Sequence, residues 1–529
     1  MTVNIFSAKC VGIDATPVRV EVNMMNGLGI YLVGLADAAV KESLLRTVTA
    51  ISSMGYHIPG KKIVINLAPA DIHKKGSGYD LPISLGILIS SNQVKIAADD
   101  LQNYMIMGEL GLDGSVRPVP GALPIIDLSV KNDHMSCILP YDCAVEAMEY
   151  VGAKVYGVRY LSDVINILNK SDDAESYLIN NQCFIEGGSV PAVSRNVAVN
   201  DLMKEVLVSD EYMDFADIVG QDNAKRGAEI ASAGGHNMLL IGSPGSGKSS
   251  LAKAIAGILP EMSAAESIET SKIYSVAGKR LEHGLIKKRP FRSPHCNSSV
   301  AALVGGGSDN VMPGEISLAH NGILFLDEFC ELPKRSIEVL RAPIEDRKVV
   351  ISRLRTKVEY PASFMLVAAT NPCPCGYYGE GDRCNCSQTR REAYISKLSG
   401  PIMDRIDLHL WMHSVEPKKL VYKQKEEASS IIAERVRKVR QIQLERFRDE
   451  NIFTNSEMSS KQIEKYCVLD AECKVFLEKL ISSMDLSARA CTRILKISRT
   501  IADLDGAPDI KVSHLGEAAG YRFLDKRSK

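Results

Sequence analysis

The sequence predicts an α/β multidomain protein, on three observations. Its 529 residues exceed what one hydrophobic core organises. Strand-like and helix-like segments alternate through residues 1–172 and again through 214–415, with a weakly patterned stretch, 173–213, between them. From 416 to 529 the apolar residues recur at helical spacing alone. The expected division is an N-terminal α+β domain, a linker, an α/β core and a helical C-terminal domain.

Each element has its own signal. In the first domain "VRVEVNMM" and "KIVINLAP" read as strands. "DAAVKESLLRTVTAISSMG" is an amphipathic helix with Asp37 as N-cap and Gly55 beyond its end, and "YDLPISLGILISS" is another helix. The core opens with a helical segment, then the short apolar strand "NMLLI", a glycine loop and a further helix. Near the C-terminus "SSIIAERVRKVRQIQLERF" sets Ile432, Val436, Val439 and Ile442 at helical spacing, and "SARACTRILKISRTIADLDG" is a second amphipathic segment.

Composition narrows the function classes. With 45% hydrophobic and 24% charged residues the chain has an ordinary globular make-up. It has no apolar run long enough to span a membrane and no signal-peptide pattern at its start, so a cytoplasmic location without a membrane partner is expected. A net charge of −1 argues against a globally basic nucleic-acid binder and confines any such surface to local segments. Nine of the 13 cysteines are scattered singly, as reduced thiols would be; the other four cluster in "AATNPCPCGYYGEGDRCNC".

The chemistry is concentrated in three places. "GSPGSGKSS" supplies Gly242, Ser243, Pro244, Gly245, Ser246, Gly247, Lys248, Ser249 and Ser250, a phosphate-binding loop between a strand and a helix. Its glycines let backbone N–H groups turn toward phosphate oxygens, and the helix N-terminus adds partial positive charge. Lys248 is placed to reach the β and γ phosphates of ATP, and Ser249 to hold Mg2+. "GILFLDEF" ends an apolar strand in Asp327, a second Mg2+ ligand, and Glu328, which would orient or deprotonate the attacking water. "FMLVAATN" ends a third buried-type strand in Asn371, whose amide suits a water-holding sensor beside the γ-phosphate.

Together with these motifs, "VGQ", "RPFRSPHCNSSVAALVGGGS", "PGEISLAHNGILFLDEF", "VAATNPCPCG" and "LSGPIMDRIDL" make the chain resemble the Mg-chelatase-like AAA+ ATPases of the ComM/YifB type, nearly end to end. The resemblance implies an AAA+ P-loop core, a C-terminal helical lid and a homo-hexameric ring with ATP between neighbouring subunits. It assigns Arg405 in "MDRIDL" as an arginine finger and Arg489 in "SARACTR" as a lid arginine on the γ-phosphate. It also likens the first domain to a Lon-protease-like fold. Leu81 or Pro82 stands where that fold's nucleophile would fall, and "GALPI" holds no lysine, so a non-catalytic scaffold is expected.

Between the acidic pair and Asn371, residues 334–357 hold eight Lys or Arg against three acids and read as a helix followed by a hairpin. In related ring ATPases such a hairpin projects into the central pore. Arg353 and Arg355 alternate on one strand, and Lys287 and Lys288 begin a second basic patch. Both patches are candidate DNA contacts. The resemblance implies DNA branch migration during natural transformation, so ATP-driven DNA translocation or branch migration is the expected function. The alternative is a chelatase-type or protein-remodelling ATPase that does not move DNA. Cys373, Cys375, Cys384 and Cys386, spaced C-x-C-x8-C-x-C, could give Zn2+ four thiolates.

Overall fold

The computed structural model describes residues 2–179 and 212–525, apart from 36, 72, 75, 133–134, 280–283, 308–310, 354–356, 416–420 and 422–425. The front sheet is built on a long antiparallel ladder between β1 (Thr2–Val11) and β2 (Asp14–Met25). β3 (Gly29–Val33) and β4 (Lys62–Ala68) extend it on one side, and β5 (Tyr104–Ile106) begins the other. A two-residue ladder of β6 (Glu109–Leu110) and β7 (Val116–Arg117) lies outside it. With β8 (Ser136–Pro140) and β9 (Val155–Val158) the strand order is β3-β4-β2-β1-β5-β8-β9.

Period-two burial explains these strands. Along β4 Ile63, Ile65 and Leu67 are fully buried while their neighbours are half-exposed, as expected of a sheet with one covered face. The helices Ala38–Ser53 and Asp80–Ser90 supply that cover. The first is capped by the Asp37 carboxylate, which accepts from the Val40 amide at 2.8 Å. Ser77 Oγ bonds Glu109, and Ser84 Oγ donates to the Leu81 carbonyl inside its own helix. Of the expected linker, residues 174–177 form a turn and Leu178 bridges to Tyr156 on the front sheet; 180–211 lie outside the described residues.

The second sheet is wholly parallel. Its strands are β10 (Met238–Gly242), β11 (Phe291–Arg292), β14 (Ile323–Leu326), β17 (Met365–Thr370) and β18 (Leu408–Met412), in the order β11-β14-β17-β10-β18. β10, β14 and β17 are buried at every position, the mark of a parallel strand covered on both faces. Met238, Leu240 and Phe325 face a core shared with the C-terminal helices, including Ile494 and Ile497 of Ala488–Leu504. Leu239, Ile241 and Leu324 face the opposite core, closed by a hairpin of β15 (Lys348–Ser352) and β16 (Lys357–Pro361). Beside that hairpin, β12 (Gly305–Gly306) pairs with β13 (Met312–Pro313).

The C-terminal helix Ser429–Arg446 buries Ile432, Val436 and Val439 as its spacing predicts, but not Ile442, which is 40% exposed. Gln443 takes the buried place, because its amide donates to the Ala233 carbonyl (3.0 Å) and its oxygen accepts from the Asn455 amide (2.9 Å). Front and core units meet where the helix Ala264–Val276 packs on Ala122–Lys131: Lys272 pairs with Asp127, and Ser275 Oγ donates to Glu146 at 2.6 Å. No described helix is long and apolar enough to cross a membrane.

Two buried imidazoles sit at the junction of the parallel sheet with the C-terminal helices. Burial holds His236 below the usual histidine range against the pull of Asp407, and burial with Arg522 nearby holds His409 well below it. Unfolding frees both rings to protonate near pH 6.5, so their contribution to stability is complete above that pH and declines as pH falls. Urea unfolding should therefore show stability dropping below about pH 6.5 by up to about 1.4 kcal/mol per unit for each ring. Flat stability down to about pH 5.5 would refute it.

Candidate active site

β10 delivers the glycine loop at its C-terminal end. Gly245 (φ +79°) and Gly247 (φ +91°) adopt the left-handed conformation that opens the loop into a cradle. A side chain on Gly242 would meet the Met412 carbonyl at 2.4 Å, which fixes how closely the loop approaches β18. The helix Lys248–Ile258 then points its N-terminus into the cradle.

Lys248 is buried, and Nζ donates to the carbonyls of Gly242 (2.7 Å) and Ser243 (2.9 Å) and to Asn371 Oδ1 (3.3 Å). Burial lowers its pKa, opposed by the Asp327 carboxylate. Ser249 Oγ donates to Asp327 Oδ2 at 2.9 Å. Glu328 follows in a left-handed conformation (φ 51°) uncommon for a non-glycine residue, its carboxylate exposed and its amide bonded to Asp327 Oδ1 (2.8 Å). Lys248, Ser249, Asp327, Glu328 and Asn371 thus gather at one edge of the sheet, the ends of β10, β14 and β17.

The donor set fits a triphosphate with Mg2+. Ser249 Oγ and an Asp327 oxygen converge as hard ligands, and Ser246 Oγ is buried within the loop without a hydrogen-bond partner among the described residues. A cleft of about 570 Å3 adjoins the loop, lined by Gly220, Gln221, Trp411, His413 and Tyr521 among others. Gln221 ties the two together, donating to the carbonyls of His413 (2.6 Å) and Ser246 (3.2 Å). The sequence signal for this cleft was the short "VGQ" at 219–221, which spacing alone does not assign to a ligand.

Both arginines lie at the opposite edge. Arg405 precedes β18, whose first residue pairs with Met238 at the start of β10. Its guanidinium pairs with Glu345 and donates to the Pro401 carbonyl at 2.5 Å, while Nε has no partner among the described residues. Arg489 pairs with Asp404 at 3.2 Å and Arg493 with Asp407 at 2.8 Å, so the helix Ala488–Leu504 is bolted to this same edge. Asn237, which the motifs do not mark, fixes the edge. Its side chain donates to the Arg405 carbonyl (3.1 Å) and accepts from the Leu366 amide (2.8 Å).

The basic residues separate. Arg353 is exposed at the hairpin tip, with Nη2 3.1 Å from where a side chain on Gly306 would begin; Arg355 lies outside the described residues. Lys287 pairs with Glu149 of the front domain (2.7 Å), and the Lys288 ammonium lies 5.7 Å from the centre of the Tyr212 ring. The four clustered thiols do converge: the Sγ atoms of Cys373, Cys375, Cys384 and Cys386 all lie within 4.8 Å of one another. The Tyr377 amide and the Cys373 thiol draw Cys375 down to about 6.

With this geometry in hand, the likenesses to other proteins are specific. Residues 214–420 match magnesium chelatase, subunit ChlI; residues 20–142 match subunit ChlI of Mg-chelatase; residues 426–522 match the subunit ChlI C-terminal model. The chain is 40% identical over 523 residues to the competence protein ComM of Haemophilus influenzae, covering 98% of this chain and 97% of that one. It is 39% identical over 519 residues to YifB of Salmonella typhimurium, covering 97% and 96%. The chain belongs to the Mg-chelatase-like ComM/YifB family. A 67 kDa magnesium-chelatase subunit of Chlorobaculum parvum, by contrast, matches over only 30% of the chain.

Asn237→Ala would leave the Leu366 amide without its acceptor and free the Arg405 backbone. Urea unfolding should register a loss of about 1–3 kcal/mol. Unchanged stability would mean that Asn237 does not brace this edge.

Proposed function

We propose that the chain is an ATP-hydrolysing motor that assembles as a homo-hexameric ring and acts on DNA, by branch migration or translocation during recombination in natural transformation. The observation that carries the reading is the split of the site between two edges. The phosphate loop, Asp327, Glu328 and Asn371 meet at one, and Arg405 and Arg489 stand at the other, with the length of β10 between them. A head-to-tail ring brings the two edges of successive copies together. The kinship with a protein named for competence supports the DNA setting.

In this reading adenine enters the cleft beside Gln221, and Lys248 with the loop amides cradles the phosphates. Mg2+ held by Ser249 and Asp327 would neutralise charge on the phosphate oxygens. The Glu328 carboxylate orients the attacking water and accepts its proton, while the Asn371 amide fixes that water's position. Arg405 of one copy stabilises the charge spreading over the neighbour's γ-phosphate oxygens, an effect worth about 10³–10⁵ in rate where it is known. Arg489, bolted beside it, belongs to the same neighbour-facing group. The front domain serves as a non-catalytic, Lon-protease-like scaffold.

DNA contact is assigned to the hairpin through Arg353 and Arg355. Lys287 and Lys288 carry it less far, since their ammonium groups already face Glu149 and Tyr212. The test is ATP-dependent branch migration of a four-way DNA junction by purified protein. Wild type should dissociate the junction into its duplex products. Glu328→Gln should bind ATP yet lose at least about 100-fold in hydrolysis, on the scale of a lost catalytic base. Arg353→Ala with Arg355→Ala should hydrolyse ATP but fail on the junction. An inert wild type, or an active Glu328→Gln, would contradict the reading.

A further inference from the structure

The loop that carries the four cysteines sits directly on the nucleotide site. It starts two residues after Asn371, and its first glycine, Gly376 (φ +87°), lies so close to the phosphate loop that a side chain there would meet Pro244 at 2.9 Å. A side chain on Gly379 would meet the Trp411 ring at 3.1 Å, and Tyr378 meets that ring edge-on with centroids 6.1 Å apart. Glu380 accepts from Ser243 Oγ (3.2 Å) and from the Ser414 amide (2.8 Å). The loop therefore clasps the phosphate loop on one side and the end of β18 on the other.

Nothing in that clasp requires cysteine, yet four thiols gather at its base. Cys373 Sγ lies 3.3 Å from Cys375 Sγ and 3.8 Å from Cys384 Sγ, and Cys375 Sγ lies 3.6 Å from Cys384 Sγ. None of the four is in a disulfide, whose sulfurs would be about 2.05 Å apart. A tetrahedral tetrathiolate with Zn–S of about 2.3 Å requires edges of about 3.8 Å between sulfurs. The spacing matches that polyhedron.

We infer that Cys373, Cys375, Cys384 and Cys386 bind one Zn2+, and that the metal holds the 376–380 loop against Ser243, Pro244 and Trp411, so that its occupancy sets the position of Asn371 and the rate of ATP hydrolysis. The cysteines are positioning residues: they close the base of the loop, and the loop holds the phosphate cradle and the sensor amide in register. The rate part of this inference rests on the ATPase reading. The metal and the clasp do not.

Trp411 is the chain's one tryptophan and touches the clasp, so in nucleotide-free protein a change in its fluorescence on metal removal reports on that contact. Full-length protein should carry close to one zinc per chain by elemental analysis, and its cobalt-substituted form should absorb as a tetrahedral thiolate complex. Stripping zinc with a chelator should shift Trp411 emission to the red and lower kcat roughly 10- to 100-fold with little change in KM, the range for lost support around a reactive centre. Restoring zinc should reverse both. Cys384→Ser with Cys386→Ser should reproduce the stripped state, and chelation with zinc add-back decides the matter if that variant does not fold. Zinc far below one equivalent overturns the metal site. Bound zinc whose removal leaves Trp411 emission unchanged overturns the clasp, and a changed emission with unchanged kcat overturns the coupling. A wild type that binds zinc and shows the emission shift but hydrolyses no ATP sinks the motor reading and the rate coupling, leaving the metal clasp standing.

Discussion

The parallel register of β10 between β17 and β18 is the constraint on which the rest of the molecule depends. Met238 pairs with both Val367 and Leu408, and Ile241 with both Thr370 and Trp411. That register brings the glycine loop level with Asn371 at one end of the strands and places Arg405 at the other. Since β10, β14 and β17 are buried throughout, a slip of one residue would turn an entire apolar set to the wrong layer. The geometry of the candidate site is thus held by the same packing that holds the fold.

The same strands connect the glycine loop to the β15–β16 hairpin. β17 runs from the base of the β15–β16 hairpin to Asn371, a span of six residues or about 20 Å of rigid strand. At its start the Leu366 amide is held by Asn237, which also holds Arg405. A change at the glycine loop, a change at the Arg405 edge and a change in the hairpin therefore share one strand. The bolts Arg489–Asp404 and Arg493–Asp407 extend that linkage to the C-terminal helices.

Much of this was legible in the sequence, for physical reasons. Motifs that need a strand before and a helix after, such as Gly242–Ser249, are specified locally, and the structure has them so. The Asp37 cap and the buried face of Ser429–Arg446 were readable from periodicity, except at Ile442, where the hydrogen-bonding demand of Ala233 and Asn455 favoured Gln443. What the sequence concealed was non-local. The brace at Asn237, the cleft beside Gln221 and the pairing of Lys287 with Glu149 each join residues more than a hundred positions apart. A charge run likewise does not reveal which of its charges the fold has already neutralised: Arg289 and Arg292 prove to be paired with Glu266 and Glu315.

The central claim is that each nucleotide pocket is completed by a neighbouring copy, one supplying Lys248 and the other Arg405. The direct measurement is ATPase activity on mixing Lys248→Ala protein with Arg405→Ala protein. Each variant alone is expected to be inactive, whereas equal mixing should restore activity at about a quarter of the pockets, those that pair an intact cradle with an intact finger in a head-to-tail ring. Activity that stays at the level of the separate variants, in a mixture shown to have co-assembled, would contradict the account.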